Sequence, residues 1–207
     1  MHADIAAVVA AFDLPWSTSQ TVQLEKLISW LKSEAHAAGG IGPGELDILE
    51  NRHIADSLLY LPPDLDASTV LDVGSGVGLP GLVLAIAHPD IGVTVVDRSV
   101  GRTDLMKRAV RVTQLENVVV LNRDVRRDEI DAAAQAVTMR AAFPPAVAVD
   151  VAARLADRFA IIGLSRSREP GGLAPCREAA DRHGFTTEVR KVEILDPPSW
   201  LLIMTRT

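Results

Sequence analysis

The sequence predicts an α/β protein: a doubly wound, mostly parallel sheet with helices on both faces, an antiparallel edge strand and an N-terminal helical extension. Three observations predict it. From Thr69 onward short apolar runs alternate with stretches of helical periodicity, the rhythm of βα units. A run of glycines directly follows the first of those apolar runs. Hydrophobic residues make up 48% of the chain and aromatics only 4%, which suits a core of Ala, Val and Leu and excludes disordered and collagen-like chains. A length of 207 residues fits one catalytic-size domain with a small addition: residues 1–64 as the helical extension, and 65–207 as one compact unit.

The extension reads as helices. Ile5 to Phe12 is a short Ala/Val segment ended by Pro15, and Ser17 and Ser19 offer N-caps for a helix from about Thr21 to Ala37. Leu24, Leu27, Ile28 and Leu31 recur there at helical spacing. The glycines between 39 and 44 require a loop, and a third helix is expected from Glu45 to Leu61, with Leu46, Leu49, His53, Ile54 and Leu58 inward and Pro62-Pro63 as its stop.

The βα rhythm then begins. Strands are expected at Val70–Val73, Gly92–Val96, Val118–Leu121, Ala136–Met139 and Phe159–Leu164. Helices are expected at Pro80–His88, Gly101–Leu115, near Asp128–Gln135, within 145–158 and near Arg177–His183. Two closing strands, Thr186–Val192 and Trp200–Thr205, make the antiparallel edge. In the Gly101–Leu115 helix, Leu105, Ala109 and Val112 are expected to face the sheet, while Arg108 and Arg111 share the outer side.

A single cysteine, Cys176, excludes an internal disulfide framework and reads as structural; no Cys/His grouping has zinc-ligand spacing, so no metal is expected. The longest apolar stretch, Val77 to Ala87, is too short for a membrane span and contains Pro80. No membrane partner is therefore expected, and a cytoplasmic monomer is the default. The net charge is −6, but it is unevenly placed: residues 98–127 hold eight Lys/Arg against three Asp/Glu, whereas 1–97 hold three against thirteen. A local basic patch attracts an anionic partner despite an acidic total, because salt screens distant carboxylates. The same residues also fit a solvated helix face.

The segment Val70-Leu71-Asp72-Val73-Gly74-Ser75-Gly76-Val77-Gly78-Leu79-Pro80-Gly81 carries the chemistry. It lies between a strand and a helix, where missing Cβ atoms let a ligand approach the backbone. Gly76-x-Gly78-x-x-Gly81 matches the dinucleotide pattern literally, so an NAD-linked oxidoreductase is one reading. The other is an S-adenosylmethionine site, which explains the acidic Asp72 before the loop as a partner for a ligand ammonium. Asp97, ending the next strand, suits ribose hydroxyls in either case. No Lys-Ser/Thr follows the glycines, which excludes a Walker loop.

At this point the chain resembles a known family. Asn51-Arg52-His53-Ile54-Ala55-Asp56-Ser57-Leu58, then Leu71-Asp72-Val73-Gly74-Ser75-Gly76-Val77-Gly78-Leu79-Pro80-Gly81, Leu115-Glu116-Asn117 and Arg140-Ala141 look like the bacterial small-subunit rRNA guanine-N7 methyltransferases, also called glucose-inhibited division protein B. The resemblance implies a class I methyltransferase (Rossmann-like) fold, S-adenosyl-L-methionine as cofactor and a guanine of 16S rRNA, free or in the small ribosomal subunit, as substrate. By position it implies that Gly74 and Leu79 line the cofactor, that Val125 and Arg126 fall at the adenine-contacting pair, and that Arg140 is the arginine ending the fourth strand. Where the family usually has an acid, this chain has Arg126, and Asp124 is the candidate to take the adenine amino group. The family's Asn-Leu-Thr segment is missing from 36–44, and its Lys-Gly after the fifth strand is replaced by Ile162-Gly163-Leu164-Ser165-Arg166. A cofactor-binding homologue without rRNA activity, or with another substrate, stays open as the alternative.

Guanine N7 presents a lone pair and loses no proton on methylation, so no catalytic base is nominated. Arg140 is placed among the cofactor contacts, with a fork to guanine O6 or a phosphate as its other use. Arg52 and His53 are candidates to cover the site from the substrate side, although a lone His on an apolar face also suits a core residue. Arg98, Arg102, Lys107, Arg108, Arg111, Arg123, Arg126 and Arg127 are candidates for phosphate contacts.

Overall fold

The computed structural model describes residues 1–128, 130, 134–166 and 170–207. Seven strands form one sheet in the order β3-β2-β1-β4-β5-β7-β6: β1 Thr69–Val73, β2 Gly92–Asp97, β3 Val118–Asn122, β4 Ala134–Met139, β5 Ala156–Arg166, β6 Phe185–Val192 and β7 Ser199–Arg206. The pairs from β3 through β5 are parallel, and β7 lies antiparallel between β5 and β6. This is the mostly parallel sheet with an antiparallel edge expected from the sequence.

Helices α4 (Gly81–Ala87) and α5 (Val100–Thr113) join β1 to β2 and β2 to β3. Both pack on one face, as right-handed crossovers in one direction require. After β3 the chain returns across β1 to β4, and α6 (Pro145–Leu155) and α7 (Ala174–Arg182) fall on the other face. The strand order therefore reverses between β1 and β4, so the loops after these two strands diverge and open a crevice at the C-terminal edge.

Alternation along the strands divides the core in two. Val70, Val93, Val95, Ala136, Phe159, Ile161, Leu201 and Ile203 belong to the cluster under α4 and α5, while Leu71, Val73, Val96, Val137, Ala160, Ile162, Leu202 and Met204 belong to the cluster under α6 and α7. The N-terminal helices α1 (Ala3–Ala11), α2 (Thr18–Trp30) and α3 (Ala55–Leu58) complete the first of these clusters. Ser17 caps α2 reciprocally with Gln20. The buried Gln20 amide also donates to the Ile86 and Ala87 carbonyls at 2.9 and 3.1 Å, satisfying the C-terminus of α4. The Asn117 amide serves the same end of α4, donating to the carbonyls of Ala85 and Ile91 at 3.0 Å each.

Several sequence expectations are corrected. The third helix is not continuous: a 3₁₀ turn at Pro43–Glu45 and a π-helical stretch at Leu49–Ile54 lead into α3. Val112 is exposed at 40% of its surface, and the inward side of α5 is Thr103, Leu105, Met106, Ala109 and Thr113; after Ala109 the stripe continues by a step of four to Thr113 rather than by a step of three to Val112. A helix near 128–135 was expected; Gln135 instead lies in β4, and Glu129, Asp131, Ala132 and Ala133 lie outside the described residues.

Candidate active site

The glycine loop leaves β1 in a conformation that side chains resist. Gly74, Gly76 and Gly78 have φ of +69°, +63° and +98°, the left-handed region in which a Cβ clashes with backbone. The amides of Gly74 and Ser75 both donate to the Val96 carbonyl, at 2.9 and 3.1 Å, which turns the loop across the end of β2.

Asp72 is the anchor beneath the loop, and this alters the expectation placed on it. Its carboxylate is fully buried and is taken up by the fold: Ser75 Oγ and the Gly81 amide (2.9 Å) donate to Oδ2, and Thr138 Oγ1 donates to Oδ1 at 3.1 Å. Asp72 and Thr138 are paired in register on β1 and β4, so one side chain ties both strands at the reversal point to the loop and to the N-terminus of α4. Burial pushes its carboxyl above the usual carboxylate range, against the hydrogen bonds from Ser75, Gly81 and Thr138 and the charge of Arg140. Neither Asp72 nor Asp97 is among the residues that line the cavity, and the oxygens of Asp72 are engaged by Ser75, Gly81 and Thr138.

Gly78 and Gly81 also serve packing. A Cβ on Gly78 would lie 2.3 Å from Leu82 Cδ1, and one on Gly81 2.4 Å from Val95 Cγ1 and 2.9 Å from Asp72 Oδ2. A Cβ on Gly76 would meet nothing within 4 Å. Gly76 is thus the position where the backbone itself faces open cavity.

That cavity, of about 520 Å³, lies at the C-terminal edge of the sheet and is lined on one side by Gly74, Ser75, Gly76, Val77 and Leu79. Asp97, at the end of β2, is 5% exposed and accepts from the Ser99 amide (2.9 Å) and the Gly76 amide (3.1 Å), with Arg102 at 3.6 Å. Each carboxylate oxygen accepts more than one bond, so Asp97 keeps capacity for a ligand hydroxyl. The opposite side is built from chain segments far apart in sequence: Glu45, His53, Asp56 and Tyr60 from the N-terminal part, Arg140 and Phe143 after β4, and Ser199 and Trp200 from β7.

Arg140 connects these segments. Its Nη1 donates to the His53 carbonyl at 3.2 Å and lies 3.6 Å from Asp56 Oδ2; Asp56 Oδ1 in turn accepts from Ser199 Oγ at 2.6 Å. Its ion-pair partner in the fold is therefore Asp56, a residue of the N-terminal part. His53 lies 4.0 Å from Glu45 and lines the cavity. Arg52 turns away, donating to the Pro197 carbonyl at 3.3 Å.

The residues after β3 fall elsewhere. Val125 is buried and its carbonyl accepts from Arg154 at 3.2 Å; with Arg126, Arg127 and Asp128 it lines a separate hollow, not the main cavity. Asp124 accepts from the Arg126 amide at 3.1 Å and lies 3.8 Å from Arg127. Arg98, Arg102, Lys107, Arg108, Arg111 and Arg123 are all exposed. Arg98, Arg102 and Arg123 follow the C-terminal ends of β2 and β3, near the cavity edge, whereas Arg108 and Arg111 lie in the second half of α5. Cys176 is a buried free thiol whose burial raises its pKa.

Sequence reasoning missed Asp56, Tyr60, Phe143, Ser199 and Trp200. Asp56 sat inside the quoted Arg-His-Ile-Ala-Asp-Ser motif without being singled out; Ser199 and Trp200 had no local signal at all. Among the described residues no cluster of His, Cys, Asp and Glu is placed to hold a metal, and no helix is long and apolar enough to cross a membrane.

Residues 20–162 match the family model described as rRNA small subunit methyltransferase G. The chain is 35% identical over 144 residues to a protein of Acidothermus cellulolyticus named ribosomal RNA small subunit methyltransferase G, covering 69% of this chain and 64% of that one. It is 33% identical over 189 residues to the protein of that name from Rhodopseudomonas palustris, covering 88% and 75%. With the Nocardioides protein of that name the match spans 48% of the relative, so the chain covers about half to two thirds of the length of several relatives. Among solved structures, magnesium protoporphyrin IX methyltransferase from Synechocystis with bound SAM superposes with a TM-score of 0.62 at 16% identity, over 93% of this chain and 99% of that one. The methyltransferase SibL superposes at 0.59 and 20% identity, over 98% and 74%. At such identities these two likenesses concern the fold alone.

Proposed function

The chain belongs to the rRNA small subunit methyltransferase G family, and on that premise we propose that it is an S-adenosylmethionine-dependent methyltransferase acting on a guanine N7 of 16S rRNA. The observation that carries the reading is the cavity at the strand-order reversal, where a bare glycine backbone faces an arginine held at the end of β4. The residues fit the cofactor. Gly76 exposes backbone to the cavity where any Cβ would project into it, and Asp97 offers carboxylate oxygens beside it.

When bound, the cofactor supplies a methyl group on a sulfonium, already activated for in-line displacement. Transfer to N7 would exchange one bond at sulfur for one at nitrogen with no proton moved, so the residues here would need to align donor and acceptor rather than take up a proton. The protein's part is then alignment and exclusion of water, which supply several kcal/mol when the acceptor is held near the attack line. The glycine loop fixes the donor side through its Val96 and Asp72 anchors, while Arg140 and the aromatic residues opposite form the acceptor side. We place the RNA backbone along the exposed Arg98, Arg102 and Arg123, with Lys107, Arg108 and Arg111 extending the surface along α5.

The test is mass spectrometry of 16S rRNA from a strain lacking the protein, with methyl transfer by purified protein to its small subunits. Loss of one 7-methylguanosine and its restoration in vitro are expected. Unchanged 7-methylguanosine removes the rRNA assignment. Stabilisation by NADH with no response to S-adenosylhomocysteine removes the methyltransferase assignment as well.

A further inference from the structure

The network behind Arg140 has an asymmetry. Its hydrogen bond to the His53 carbonyl and its ion pair with Asp56 both run through Nη1. A guanidinium has five N–H donors in a rigid plane; among the described residues no partner takes those on Nε and Nη2, and the side chain is 16% exposed and lines the cavity. Asp56 is 3% exposed and is itself fixed by Ser199, 143 residues away in sequence. Arg52, one turn earlier, grips the Pro197 carbonyl on the same C-terminal segment. The N-terminal motif thus reaches the acceptor side of the cavity by holding an arginine on one side and the start of β7 on the other.

We propose that Asp56 is the positioning residue of the methyl acceptor: it holds Arg140 by Nη1 so that Nε and Nη2 form a preset pair of donors for an oxygen of the acceptor base. The inference rests on the proposed methyltransferase function. A purine that must keep N7 free for attack still offers O6 on the same edge, and Tyr60, Phe143 and Trp200 border the space beside the fork. Asp56 has a second consequence for the reaction. Positive charge develops on the base during transfer, and an uncompensated arginine next to it opposes that charge. A carboxylate 3.6 Å behind the guanidinium offsets it.

The readout is a double-mutant cycle on the full chain, with small ribosomal subunits as methyl acceptor. Asp56→Asn keeps the shape and an acceptor for Ser199 while removing the charge, and is expected to lower kcat by about tenfold or more with a smaller change in KM. Affinity for S-adenosylhomocysteine should stay within about twofold, since Asp56 acts on the acceptor side. In an Arg140→Ala background, Asp56→Asn should have almost no further effect, because a residue that acts through another loses its influence with it. Ser199→Ala, which keeps both charges, should give a smaller fall in kcat and serves if Asp56→Asn fails to fold. Independent, multiplying effects of Asp56→Asn and Arg140→Ala overturn the proposal, as does wild-type kcat in Asp56→Asn. If wild-type protein transfers no methyl group, the function is wrong, and the positioning claim is judged separately by ¹⁵N NMR of the arginine side chains. Rotation of the Arg140 guanidinium about Nε–Cζ should be slow in the wild type and faster in Asp56→Asn; equal rates overturn it.

Discussion

Replacing Asp72 tests the anchoring of the glycine loop. In Asp72→Ala the Ser75 hydroxyl, the Gly81 amide and the Thr138 hydroxyl lose their acceptor in a fully buried place. A buried donor left unsatisfied costs about 1–3 kcal/mol. Hydroxyls rotate toward other acceptors, but the Gly81 amide is fixed by α4. Removing a desolvated carboxylate returns part of the loss, which leaves a net destabilisation of about 2–5 kcal/mol. For a chain of this size that lowers Tm by about 5–15 °C. Asp72→Asn keeps one carbonyl oxygen and should cost about half as much. The pH dependence separates charge from shape. The Asp72 pKa is raised in the folded state by burial, so its contribution is fully present below its unfolded value near 3.8 and is lost as pH rises through the folded value. Asp72→Asn cannot ionise and should lack that part of the slope. Calorimetric unfolding of the three proteins across pH, with S-adenosylhomocysteine titrations, reads both effects. Asp72→Ala within about 1 kcal/mol of wild type and with unchanged ligand affinity would refute the reasoning, since the fixed Gly81 amide would then have lost its buried acceptor at almost no cost.

Other consequences are more local. Gly76→Ala should weaken S-adenosylhomocysteine binding more than it lowers Tm, whereas Gly78→Val, whose side chain meets Leu82 and not the cavity, should lower Tm first; thermal shift with and without ligand distinguishes them. Gln20→Ala leaves the Ile86 and Ala87 carbonyls without their buried donor and should cost about 1–3 kcal/mol in chemical denaturation. Arg190 lies between Glu188 and Asp64 and its hydrogen bonds lower both carboxyl pKa values, so this contribution is present above their unfolded values and is lost as pH falls through the folded ones; Arg190→Gln should flatten the acid limb of a stability profile. Charge reversal at Arg98, Arg102 and Arg123 should reduce the slope of log RNA affinity against log salt by close to one unit for each phosphate no longer neutralised, and reversal at Arg108 and Arg111 by less, in filter binding at several salt concentrations.

The sequence by itself determined the βα order, the place of the glycine loop and the acid at the end of β2, because each is a local pattern. Strand-turn-helix periodicity and the demand for positive φ are settled within a dozen residues. Helix ends and the inward side of α5 were less legible: Val112 faces solvent because packing, not spacing, chooses the stripe. What only the tertiary structure decided is who faces whom across the sheet edge. That Asp72 ties β1, β4 and the glycine loop together shows only when Thr138 is seen beside it on β4 and the Gly81 amide on its carboxylate. The acceptor wall of the cavity joins Asp56, Arg140 and Ser199, whose pairings span 84 and 143 residues of chain. No periodicity links such residues; they meet because the N-terminal helices complete the core over α4 and because β7 inserts antiparallel between β5 and β6, which brings its first residues to the same edge as the end of β4.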